Sequence, residues 1–71
     1  MTLALTPAVQ QDASVALAVS RLAEEFDGSA EPQEVVSVVQ TARRELSGAP
    51  VGALPELVER LARYRLHVAI G

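Results

Sequence analysis

The sequence predicts an all-α fold, a single three-helix up-down-up bundle spanning residues 1–71. Three observations point there. Apolar residues recur in steps of four, three and four along Val15-Val19-Leu22-Phe26, Val35-Val39-Ala42-Leu46 and Leu57-Leu61-Tyr64-Val68. That period, about 3.5 residues, lays each stripe along one helix face. Glycine and proline punctuate the gaps between the stripes, and the two gaps are short, as in bundles whose neighbouring helices run antiparallel.

The first helix is expected over roughly 8–26. Thr6 can accept from the first turn and Pro7 suits the first helical position. The turns from Ala8 to Ala13 are weakly patterned, so residues 1–11 are the part expected to fray and about Asp12 to Phe26 the firm part. Asp27-Gly28 ends the helix, with Gly28 placed to turn left-handed.

The second helix is expected over roughly 31–47, with Ser29 as its cap and Glu31 and Pro32 in its first turn. Its valines favour strand by propensity. However, Val35-Val36-Ser37-Val38-Val39 does not alternate, and the apolar pattern continues through Ala42 to Leu46 before the stop at Ser47-Gly48. Gly48 to Gly52 is loop. The third helix is expected over roughly 53–69, with Pro55 tolerated in its first turn. Glu56–Arg60 and Glu59–Arg63 are i,i+4 pairs with the acid first, which marks a solvent-facing side.

Composition narrows the function classes. A chain of 71 residues buries only about 60% of the surface it would expose unfolded. Disulfides, metals or oligomerisation usually supplement such a core. Cysteine is absent and His67 is the lone histidine, so disulfides, thiolate metal sites and Cys nucleophiles are excluded and a zinc site lacks ligands. Oligomerisation remains, and 49% apolar residues suit it. The net charge is −3 and there is no lysine, a poor basis for nucleic-acid binding. Residues 1–35 hold six acids against Arg21, whereas 36–71 hold five arginines against three glutamates. Met1 to Leu5 lacks a basic leader region, and no stretch approaches the ~20 apolar residues of a membrane span. The expected location is therefore cytoplasmic, with no membrane partner.

No residue set suggests catalysis, a cofactor or a metal. His67 has no companions for a triad. Glu24-Glu25-Asp27 lacks the oxygen-rich loop spacing of a calcium site. Ser29 stands where acyl carrier proteins hold their prosthetic group, but it lies between Gly28 and Ala30 instead of in an Asp-Ser-Leu motif. The arginines at 43, 44, 60, 63 and 65 are interleaved with glutamates and read as a solvated face. No enzyme is expected.

Some apolar residues fall off the three stripes, and exposed strips of this kind mark partner surfaces. The candidate interface residues are Val9, Leu17, Val58, Leu66 and Ile70. Val58 and Leu66 suit either that strip or a widened core face. On the first reading, Leu66→Glu dissociates an oligomer and leaves the helices, while Leu61→Glu unfolds the chain.

The run Leu54-Pro55-Glu56-Leu57-Val58-Glu59-Arg60-Leu61-Ala62-Arg63-Tyr64-Arg65-Leu66 resembles the closing helix of an actinobacterial three-helix-bundle dimerisation module. Pro32-Gln33-Glu34, Val36, Val39, Ala42 and Glu45-Leu46 fit the module's middle helix more loosely, and Leu22-Ala23 with Phe26 fits the first in pattern only. The resemblance spans about Ala18 to Val68. It implies a non-catalytic dimerisation or protein-interaction module, most simply a homodimer. Such modules stand alone or precede low-molecular-weight-phosphatase-like arsenate reductases, so by resemblance a reductase of that kind is a possible protein partner. The reductases' catalytic loop, a cysteine with an arginine six positions on, has no counterpart here. The alternative functions are a small regulator that masks a partner protein, in the manner of an antitoxin or anti-sigma factor, and an acyl-carrier-like protein.

Overall fold

A computed structural model describes residues 13–71. Three helices, α1 (Ala13–Glu25), α2 (Pro32–Glu45) and α3 (Leu54–Ile70), follow in order, and a 3-10 turn at Val51–Ala53 leads into the last. Each helix packs against both others. The chain is thus an all-α three-helix bundle, as predicted. The expected helix start at Thr6-Pro7, the fraying of residues 1–11 and the interface residue Val9 lie outside the described residues.

Local chemistry sets the helix ends. The Phe26 N–H donates to the Leu22 carbonyl at 2.8 Å, and the Phe26 carbonyl then accepts from Ser29 and Ala30 at 2.8 and 3.0 Å. This turn passes through Gly28 at φ +86°, with no atom within 4 Å of where a Cβ would stand. The obstacle to a side chain there is backbone strain alone, so Gly28→Ala is expected to cost about 1 kcal/mol in urea titrations. Gly48 also faces open space but has no positive φ. Gly48→Ala should therefore leave the midpoint unchanged or raise it, because alanine restricts the unfolded chain.

The expected cap of α2 is corrected. Glu31, not Ser29, holds the N-cap position, without a side-chain cap bond, and Pro32 opens the helix. Proline's fixed φ makes it a natural first helical residue, and Ser29 is consumed by the preceding turn. Pro55 lies in the first turn of α3, as expected.

Two contacts define how the helices lie. Arg21 bonds Glu59 and Glu25 bonds Arg63, both 38 residues apart, so α1 and α3 advance together and run parallel. That is the relation an up-down-up order requires of its first and third helices. Glu45, the last residue of α2, bonds Arg65. In a tight hairpin it would face the first turn of α3, but Arg65 lies eleven residues beyond Leu54, about 16 Å along a helix at 1.5 Å per residue. The end of α2 therefore sits beside the second half of α3, and residues 46–53 carry the chain back along it.

The core comprises Ala18, Leu22 and Phe26 from α1 and its closing turn, Val35, Val39 and Ala42 from α2, and Leu54, Val58, Ala62 and Leu66 from α3. Each helix contributes one fully buried alanine, so the backbones can approach closely. Ser14 is buried one turn before Ala18. The buried rows on α1 (Ser14, Ala18, Leu22, Phe26) and α3 (Leu54, Val58, Ala62, Leu66) step by four throughout.

Here the expected α3 stripe is corrected. Leu57 and Leu61 are only half-buried, while Tyr64 and Val68 are 66% and 63% exposed. Val58 and Leu66, candidate contact residues by sequence, are both 0% exposed and belong to the core. The flanking ion pairs locate the inward face. Glu59 and Arg63 reach α1 on one side of α3 and Arg65 reaches α2 on the other, so the row between them is the one that faces both neighbours.

Candidate interaction surface

A chain of ion pairs ties α1 to α3. Arg63 Nε donates to both Glu25 carboxylate oxygens at 3.1 and 3.0 Å, and its NH2 group donates to Glu59 at 2.7 Å. Glu59 also accepts from Arg21 at 3.3 Å. The Glu59–Arg63 pair, expected merely to mark a solvent face, is part of this inter-helix ladder. Glu56 and Arg60, 2.9 Å apart, remain a solvent-facing pair with side chains 76% and 72% exposed.

The ladder has a pH signature. The carboxyl of Glu25 is held below its ordinary value of 4.5, first by the hydrogen bonds from Arg63, against partial desolvation, with the charges of Arg63 and His67 adding to the effect. Glu45 is lowered in the same way by Arg65. A depressed carboxyl stabilises the folded chain above its unfolded-state pKa, and that contribution disappears as pH falls through the depressed value. Stability should therefore hold from neutral pH down to about 5 and fall below the ordinary value of 4.5. Arg63→Met should cost about 1 kcal/mol at pH 7 and flatten the acid limb, both read by denaturant titration at several pH values.

A groove of about 410 Å³ runs between α1 and α3, with Leu17 and Pro55 against the side chains of Arg21, Glu59, Arg60 and Arg63. Its charges are paired with one another. A second concavity, about 520 Å³, lies on the outer side of α2 by Pro32, Gln33, Val36, Ser37 and Gln40, all uncharged. Neither presents grouped acid, base and nucleophile. His67, exposed in the last turn of α3, sets its ring edge-on to Phe26, with centroids 4.9 Å apart. Among the described residues no three His, Cys, Asp or Glu side chains are placed to hold a metal ion, and no helix is long and apolar enough to cross a membrane.

The feature that stands out is exposed apolar side chains. Leu17 and Ile70, two of the candidate interface residues, are exposed. Three further positions join them against expectation. Tyr64 and Val68 belong to the stripe expected in the core, and Val51, 81% exposed in the 3-10 turn, falls in the expected loop. The signal available was that α3 carries two apolar rows, of which a single bundle can bury one. No protein-family model matches this chain, nor does any curated protein or any solved structure.

Proposed function

We propose that this chain is a non-catalytic self-association module, a homodimer in its simplest form. One observation carries the reading. While α3 buries Leu54, Val58, Ala62 and Leu66, it keeps a second apolar row of Leu57, Leu61, Tyr64 and Val68 that ends in exposed side chains. Each large apolar side chain moved out of water is worth about 1.5–3 kcal/mol, so a second surface that covers this row is favoured. The resemblance of α3 to a dimerisation module agrees. A phosphatase-like arsenate reductase as partner would act from outside these 71 residues, which contain no cysteine.

Sedimentation equilibrium between micromolar and millimolar concentration tests the proposal. Self-association is the expected result, and a monomer throughout that range overturns it. Co-purification of a foreign chain in fixed stoichiometry would favour a masking regulator instead.

A further inference from the structure

We propose that the second copy docks on the outer face of α3 in an antiparallel two-fold pair whose axis passes just beyond Leu57. This rests on the self-association reading and names its surface. At about 100° per residue, Leu57, Arg60, Tyr64 and Glu56 lie on the side of α3 away from the buried row. The argument is self-complementarity along that side. With the axis there, the two copies of Leu57 face each other. Glu56 then comes level, within about one residue or 1.5 Å, with Arg60 of the second copy, and Arg60 with its Glu56. Tyr64 comes level with the 3-10 turn Val51–Ala53 of the second copy.

The charged residues share one flank of the face, while Leu57 and Tyr64 share the other. A two-fold perpendicular to the helix pair brings like flanks together, as these contacts require. Glu56 and Arg60 are the most exposed ion pair in the described chain, so exchanging partners across the axis disturbs no inter-helix contact within a copy. A single-helix face covers less than the ~800 Å² per partner of a standard interface, which places the dimer in the weak, concentration-dependent class.

The test uses complementary charge variants of the full chain. Glu56→Arg sets two arginines against each other across the axis, and Arg60→Glu sets two acids together, so each variant alone should self-associate about tenfold more weakly than the parent. An equimolar mixture restores opposite charges across the axis and should recover parental association as a heterodimer. A purely intrahelical role for the pair predicts no such recovery. Circular dichroism checks that both variants remain folded. In the cysteine-free chain, Leu57→Cys should form a disulfide dimer under mild oxidation, whereas Leu17→Cys should not.

A parent that dimerises, with neither heterodimer recovery nor a crosslink in the Leu57→Cys variant, overturns this face and leaves self-association standing. A parent that stays monomeric at millimolar concentration overturns both.

Discussion

Leu66→Glu is expected to abolish the fold. Leu66 is 0% exposed and lies in the last third of α3, among the core residues drawn from all three helices. The substitution removes a large apolar side chain and places a carboxylate where no partner waits, at a cost of several kcal/mol whether the acid ionises or takes up a proton. A chain of this length has a total stability of about 4–10 kcal/mol. Far-UV circular dichroism at 25 °C should show the helical signal lost or the melting temperature greatly reduced. Tyr64→Glu, two residues earlier on the exposed side, should keep the helices. A folded Leu66→Glu variant would mean that the core row and the outer row of α3 have been exchanged.

Phe26→Ala should produce the second large effect. Phe26 is the chain's only phenylalanine and closes α1. It is almost completely buried, and its ring meets the edge of His67. From the parallel register of α1 and α3, it sits level with the stretch between Ala62 and Leu66, so a large side chain fills the space left by a small one. Truncation leaves a cavity bounded by both helices and by the turn that leads to α2. The expected loss is about 3–5 kcal/mol, which for a domain of this size lowers the melting temperature by at least 12 °C, taking about 4 °C per kcal/mol. His67→Ala removes only the edge contact of an exposed ring and should cost about 1 kcal/mol. If the two variants melt together, Phe26 matters through His67 and not through packing.

These expectations divide along the line between what was readable from the chain and what was not. The helices were readable because their boundaries are written in local chemistry. Gly28 takes the left-handed turn expected of it, Pro32 opens α2, Pro55 lies in the first turn of α3, and Val35, Val39 and Ala42 fill the core as their spacing indicated. The second helix formed despite its valines, because burial of one face outweighs a propensity of a few tenths of a kcal/mol per residue.

Which apolar row α3 buries was not readable. Its two rows, Leu54-Val58-Ala62-Leu66 and Leu57-Leu61-Tyr64-Val68, are both continuous, and the second of them matches the 3.5-residue step. The outcome shows in partners distant in sequence: Glu25 and Arg21 on α1 for Arg63 and Glu59, and Glu45 on α2 for Arg65. Likewise, nothing local shows that the end of α2 comes to rest beside Arg65.

Backbone preferences and residue spacing thus determined by themselves that the chain would be helical, how many helices the described part would contain and about where each would stop, because these depend on neighbours within four residues. The tertiary structure alone decided which side of α3 faces inward, and therefore which side is left to meet another molecule. That choice rests on packing between helices and shows in contacts 20 to 38 residues apart, which no periodicity within one helix encodes.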